Sequence, residues 1–360
     1  MNKFRLNGSD IFIGYDVASR IDLFIKKQAI THIYIFVDAN TEKYCLKSIL
    51  NSSIYLKKNQ VIKLPVGEYT KSLQVFEKIC TKLLSKGIDR NSLIINIGGG
   101  VILDFGGFLS SVLQRGIKFI NIPTTLLAQV DASIGGKVAL NLSDYKNQIG
   151  LFCNPQMTLI DPSYLLTLSK NDFLSAQAEI FKYGLIEDRN LWNKLIKCNF
   201  FNQDHLLDII TECVKIKIKI VQSDYLDWNQ RRKLNFGHTI AHAVESLFFE
   251  LNQPITHGFA VFIGLICESY ISYKKYKFSK HQFLNIIKEI QKVWLPIKLD
   301  AQYDNLILKY LKVDKKNADY KFNFTLITEI GSAIVNCPVS TNDILLSLDY
   351  YRKNVYTGTK

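Results

Sequence analysis

The chain has 360 residues, enough for about two domains at roughly 150 residues each, with a core large enough to need no disulfide staples. Its 48% hydrophobic, 21% charged and 12% aromatic content excludes wholesale disorder and a fibrous repeat. Forty-five Lys and Arg against 32 Asp and Glu leave a net charge of +13, a balance shared by nucleic-acid binders, enzymes of anionic substrates and lysine-rich surfaces. In chain order, Ile33–Val37 is a β-branched run ending at Asp38, Val61–Leu64 is a second, and Ser92–Ile97 leads straight into three glycines. Between them Ser72–Leu84 places Leu73, Phe76, Ile79, Cys80, Leu83 and Leu84 at helical spacing. Phe119–Pro123 is a further strand, closed by its proline. This alternation predicts a parallel α/β layer.

After Asp161-Pro162 the pattern turns helical: Asn171–Leu185, His205–Ser223, His238–Phe249, Val261–Tyr273 and His281–Val293, with Phe322–Ile327 and Ala333–Val335 as a late hairpin. The expected organisation is an α/β domain over 1–162 and a mostly α-helical domain over 163–360. Seven scattered cysteines without a C-x-x-C pair fit a reducing cytosol. Met1 to Asp10 has no apolar signal core, and stretches such as Phe259–Cys267 reach about half the ~20 residues of a membrane span. A soluble, cytoplasmic protein is expected, with no membrane partner.

The run Gly98-Gly99-Gly100-Val101-Ile102-Leu103-Asp104 follows a strand and opens a helix. Backbone N–H groups at such a turn suit a dinucleotide pyrophosphate, although a tight turn without ligand has the same sequence. No G-x-G-x-x-G is present, so an ordinary Rossmann label does not apply. Asp38-Ala39-Asn40 ends a strand where an acid commonly meets a ribose, or it is a solvated turn. Gly67–Lys71 is a helix cap or a nucleotide contact. His238 and His242 share one helical face, and with His257 nearby they point to metal binding or acid–base chemistry. Glu179 could complete a His/His/Glu set suited to Zn²⁺. The absence of H-E-x-x-H disfavours a zincin protease. Arg115, Lys137, Lys146, Lys182, Lys217 and Arg231 lie beside these motifs. Singly, each is an ordinary surface charge; together they would clamp a carboxylate or phosphate.

GGGVILDFGGF (98–108), QRGIKFINIPTTLLAQVDASIGGKVALN (114–141), KNQIG (146–150), AEIFKYG (178–184), RRKLNFGHTIAHAVE (231–245) and THGFAV (256–261) stand in one order. In these motifs the chain resembles the 3-dehydroquinate synthase family of sugar-phosphate cyclases, from Asp38 to Asp314-Lys315-Lys316 and Ile330-Gly331. The resemblance implies an N-terminal NAD-binding, Rossmann-like α/β domain, a helical metal- and substrate-binding domain, and an active site in the cleft between them. It implies Glu179, His238 and His257 as ligands of Zn²⁺ or Co²⁺, with His242 unligated against the substrate. NAD contacts would come from Asp38, Asn40, Glu68, Lys71, Gly99, Gly100, Val101, Asp104, Thr124, Thr125, Asp131, Lys146 and Thr167. Substrate contacts would come from Arg115, Lys137, Lys146, Asn147, Lys182, Lys217, Arg231, Asn235 and His242, with Lys316 reaching toward the phosphate.

The implied reaction converts 3-deoxy-D-arabino-heptulosonate 7-phosphate to 3-dehydroquinate and phosphate, a step toward the aromatic amino acids. It runs by transient oxidation with NAD, phosphate elimination, reduction and intramolecular aldol closure. A homodimer is the implied assembly. The chain departs from the family where Phe259 replaces the usual Glu after His257-Gly258, where Val138 replaces Thr, and where the acidic run after Asp224 is thin. Phe259 bears on the support of His257, and hence on metal affinity. The alternatives are another sugar-phosphate cyclase, or a metal-dependent polyol dehydrogenase that releases NADH. Lys146-Asn147, Lys217 and Arg231 favour a carboxylate-bearing substrate. A nucleic-acid partner is not expected, because the cations are dispersed and no recognition motif occurs.

Overall fold

The computed structural model describes residues 1–143, 145–198, 200, 202–276, 278–313 and 322–356. Its strands are β1 (Asn2–Leu6), β2 (Ser9–Ile13), β3 (Ile33–Val37), β4 (Val61–Lys63), β5 (Leu93–Gly98), β6 (Lys118–Pro123), β7 (Lys137–Leu142), β8 (Tyr145–Phe152), β9 (Met157–Ile160), β10 (Phe322–Glu329) and β11 (Ser332–Val339). Seven of them form one sheet in the order β1-β2-β9-β6-β5-β3-β4. All neighbours pair parallel except β1, which joins β2 as an antiparallel hairpin.

Strand periodicity of two explains how this sheet is buried on both faces. Ile35, Val37, Leu93, Ile95, Ile97, Ile120 and Ile122 enter one apolar cluster, while Tyr34, Phe36, Ile94 and Phe119 enter another on the opposite side. The helix Leu73–Ser85 supplies Val75, Ile79 and Leu83 to the second cluster. In parallel sheets ligands gather at the carboxyl ends of the strands, and here Asp38 directly follows β3 while β5 runs into the glycine turn.

Two hairpins were not expected from the sequence. Residues 1–13 fold back through Asn7 (φ 46°) and Gly8 (φ 86°), the two left-handed residues that a tight hairpin turn demands. The segment 137–152 forms β7 and β8. It reads as a polar loop because β8 is exposed along most of its length and so lacks an apolar face.

The chain divides into two compact units, Met1–Ser169 with Phe200–Gln222, and Lys170–Asn199 with Ser223–Lys360. A single cut at 162 therefore does not separate them. The turn Pro162–Thr167 stays in the first unit, and the helix Gln203–Ser223 returns to it. That return is fastened by Lys217 to Asp131 at 2.5 Å and by Asn2 to Thr211 at 3.4 Å. Helical periodicity says that Ile209, Ile210, Cys213 and Val214 are buried, but not against which unit.

In the second unit the helices Lys170–Ile186, His238–Glu250 and His257–Lys275 carry the remaining site residues. The latter two approach so closely that a Cβ on Gly264 would lie 1.8 Å from the carbonyl oxygen of Gly237. Glycine is required there because backbone meets backbone. Among the described residues no helix is long and apolar enough to cross a membrane.

Candidate active site

The helix Gly100–Val112 begins directly after β5, with Gly99 at its N-cap and no side chain satisfying its first N–H groups. A Cβ at Gly99 would stand 3.0 Å from Thr125 Cγ2, so the turn keeps bare amides where a helix end is positive. Thr124 N–H donates to the Gly98 carbonyl at 3.0 Å, and Thr125 Oγ1 accepts from Ala128 N–H at 3.2 Å. The first bond holds the ends of β5 and β6 side by side, and the second ties the turn that follows β6. Val101 lies in the first helical turn. Asp38 caps the helix Ala39–Tyr44, accepting from Thr41 N–H at 2.8 Å.

A polar network joins segments far apart in sequence. Lys71 lies in the turn Glu68–Lys71 and is 3% exposed. Its ammonium donates to Asp104 Oδ2 at 2.7 Å and to Asn147 Oδ1. Asn147 N–H donates to Asn141 Oδ1 at 2.9 Å, and the Asn141 amide donates to Glu68 Oε2 at 2.9 Å. Asp104 keeps 23% of its side-chain surface open. Burial still pushes its carboxyl above the usual range against the pull of Lys71. Asp131 is engaged by Lys217 in the same unit. Asn40, Arg115, Lys137, Lys146 and Thr167 are exposed, and Lys316 lies outside the described residues.

The second unit brings Glu179, His238 and His257 together, one ligand atom from each lying within 4.8 Å of the others. Glu179, 1% exposed, turns Oε1 toward His238 Nε2 at 3.1 Å and His257 Nε2 at 3.6 Å, while its other oxygen meets Lys182. Neither carboxylate oxygen makes a hydrogen bond of good geometry.

The ring nitrogens on the far sides are both committed. His238 Nδ1 faces the Phe236 carbonyl at 3.2 Å, and His257 Nδ1 faces Glu245 Oε2 at 2.9 Å. Both partners are acceptors, which assigns each Nδ1 a proton and directs each Nε2 at Glu179. With both rings neutral, three lone-pair donors converge on one buried point and repel one another unless a cation lies among them. This donor set fits a divalent ion.

The electrostatics agree. Burial raises the Glu179 carboxyl, but Lys182 and the histidines outweigh it and hold it well below the usual carboxylate range. Burial and Lys182 push His238 down against Glu179, which favours the neutral imidazole that a metal binds. Burial pushes His257 down too, yet Glu179 and Glu245 on either side carry it up to about 10. The negative potential that holds a proton there favours any cation at that point.

His242 stands beside the ligands without joining them, its ring edge-on to His238 with centroids 5.6 Å apart. Arg231, 2% exposed, donates from Nη1 to the Tyr225 carbonyl at 2.7 Å. Its loop is tied by Asp224, which accepts from the N–H groups of Trp228, Asn229 and Arg231. Asn235 ends the same turn, Gln230–Asn235.

Sequence reasoning assigned no role to Glu245, although it follows His238 by seven residues on the same helical face. Phe259 turns to Trp294 at 6.2 Å between centroids, and Glu245 on the neighbouring helix meets His257 Nδ1 at 2.9 Å and orients its ring. Exchanging Glu245 for Gln is expected to weaken Zn²⁺ affinity about 10- to 100-fold, the usual effect of losing a carboxylate behind a ligating histidine. Competition against a chromophoric chelator measures it, and an unchanged affinity would refute the role.

The architecture is that of sugar-phosphate cyclases and metal-dependent alcohol dehydrogenases. A structure of 2-deoxy-scyllo-inosose synthase complexed with carbaglucose-6-phosphate, NAD⁺ and Co²⁺ matches with a TM-score of 0.85 at 20% identity, over 96% of this chain and 99% of that one. The 2-epi-5-epi-valiolone synthase from Streptomyces hygroscopicus, with NAD⁺ and Zn²⁺, matches at 0.80 and 22% identity, over 97% and 98% of the two chains. An iron-containing alcohol dehydrogenase from Thermotoga maritima reaches 0.66 at 14% identity, over 98% and 99%. Residues 61–175 match the family described as 3-dehydroquinate synthase N-terminal, and residues 176–317 its C-terminal counterpart. The 3-dehydroquinate synthase of Parabacteroides distasonis is 34% identical over 96% of this chain and 98% of its own. That of Thermoanaerobacter pseudethanolicus is 37% identical over 90% and 92%. The chain belongs to the 3-dehydroquinate synthase family.

Proposed function

We propose that the protein catalyses the cyclisation of 3-deoxy-D-arabino-heptulosonate 7-phosphate to 3-dehydroquinate with release of phosphate. The observation that carries this reading is the convergence of Glu179, His238 and His257 on one point, in a chain whose family performs that reaction. Those three residues would hold Zn²⁺ or Co²⁺, and the glycine turn with Asp38, Glu68, Lys71 and Asp104 would hold NAD. Together the two groups supply Lewis acidity at a substrate carbinol and a reversible hydride acceptor, so that NAD is regenerated in each turnover.

The chain's own residues do the rest. Lys182, Arg231 and Lys146 neutralise the substrate's carboxylate and phosphate as charge develops on the leaving group. Asn147 and Asn235 orient hydroxyls, and His242, unligated beside the metal residues, holds a proton at its ring nitrogen against the substrate. Holding the carbonyl carbon of the ring-opened intermediate close to the enol carbon of the same molecule favours the aldol closure, in which those two carbons bond, by proximity. Lys217, paired with Asp131 in the first unit, would add a further cation for the substrate, and Asp131 would meet NAD. The proposal includes a cytoplasmic homodimer. Seven cysteines, all with free thiols, are compatible with that compartment, and the assembly is what the family resemblance implies.

Pure protein incubated with NAD⁺, Zn²⁺ and the heptulosonate phosphate is expected to release one phosphate per substrate with no net NADH. Stoichiometric NADH would make the protein a polyol dehydrogenase instead. Phosphate release from glucose 6-phosphate but not from the heptulosonate would make it a cyclitol-forming relative.

A further inference from the structure

Glu268 is 0% exposed on the helix His257–Lys275. A carboxylate so buried persists only where it is paired or well hydrogen-bonded. Its two oxygens accept from the backbone N–H of Gly237 at 2.7 Å and of Ile240 at 3.2 Å. These are the N-cap and third-residue amides of the helix His238–Glu250, which begins at a left-handed glycine and has no capping side chain of its own. They are the two amides that a capping box would satisfy from within the helix. Here the neighbouring helix supplies the acceptor, and its negative charge sits at the positive end of the capped helix.

The residue between these amides that matters for chemistry is His238, the first of its helix. Glu268 lies about three turns along the helix that His257 begins. One buried carboxylate therefore ties the first turn carrying His238 to the helix carrying His257. The absent Cβ of Gly264, which lets the two backbones touch, makes this approach possible.

We propose that Glu268 is a positioning residue that sets the separation of His238 from His257 and thereby the affinity and geometry of the metal site. The proposal rests on the reading of Glu179, His238 and His257 as that site. Glu268→Gln preserves shape and keeps one acceptor, but turns an amide N–H toward a backbone N–H. It is expected to weaken Zn²⁺ binding about 10- to 100-fold, as loss of a supporting partner of a ligand does. The visible ligand-field bands of its Co²⁺ form should shift, while NAD⁺ affinity stays that of the parent.

Glu289→Gln is the matched control: Glu289 is a buried acid of the same unit, 6% exposed and paired with Lys292, and its exchange should leave metal affinity and the Co²⁺ spectrum as they are. Parental metal affinity and an unshifted Co²⁺ spectrum in Glu268→Gln overturn the proposal even if its melting temperature falls, since the cap would then be structural only. Equal losses of metal and NAD⁺ affinity overturn it as well, because they report general loosening. A parent protein that binds neither Zn²⁺ nor Co²⁺ overturns the underlying site reading and the proposal with it, an outcome distinct from the other two.

Discussion

His238→Ala is expected to strip the protein of its divalent ion and to lower turnover by about a thousandfold or more. A bound ion acting as a Lewis acid contributes several kcal/mol to the barrier, and each ~1.4 kcal/mol is a factor of ten. The ring provides one of the converging Nε2 atoms, and its position is set from three sides by the Phe236 carbonyl, Glu179 and the first turn of its helix. His242 does not replace it, since its ring lies edge-on to His238 and outside the converging set. Metal content after desalting and phosphate release measure the two effects. A variant that retains one equivalent of metal and parental turnover would refute the assignment.

Lys182→Met should act differently and separate stability from metal binding. Lys182 and Glu179 are 2% and 1% exposed in their side chains and pair on one face of a helix. Removing one partner of such a pair leaves the other charge buried and costs about 3–5 kcal/mol. The apo variant is therefore expected to unfold at distinctly lower denaturant concentration. A divalent ion would take over the charge of Glu179, so saturating Zn²⁺ should restore more stability to this variant than to the parent. Turnover should nonetheless fall about a hundredfold or more if, as proposed above, Lys182 neutralises the anionic substrate. Metal is retained in Lys182→Met and lost in His238→Ala. An apo Lys182→Met protein as stable as the parent would contradict the pairing.

Much of the α/β layer is legible in the sequence because its strands are buried on both faces. The runs at 33–37, 93–98 and 118–123 are dense in β-branched residues, and the glycines after β5 mark the turn into a helix. The hairpin of β7 and β8 is not legible, since a mostly exposed ribbon carries no apolar alternation. The hairpin of β1 and β2 had a signal in Asn7-Gly8, but only one strand-sized run on each side to support it. In the site, spacing alone pairs His238 with His242 on one helical face. The geometry places His257 in the converging set and leaves His242 beside it. That difference arises because a ligand set is formed by three helices, and periodicity describes one helix at a time.

The sequence by itself determined the fold class, the glycine turn and, through motifs in order, the family and its candidate residues. Those features are local, or they are series of local features whose order survives in one dimension. Only the tertiary structure decided that the helix Gln203–Ser223 joins the first unit and that Lys71 closes a network with Asp104 and Asn147. It also decided that Glu245 and Glu268 stand behind His257 and the first turn of the His238 helix. Each of these is a polar group made tolerable in the interior by a partner distant in sequence. Burial makes such partners obligatory, yet nothing in the spacing along the chain names them.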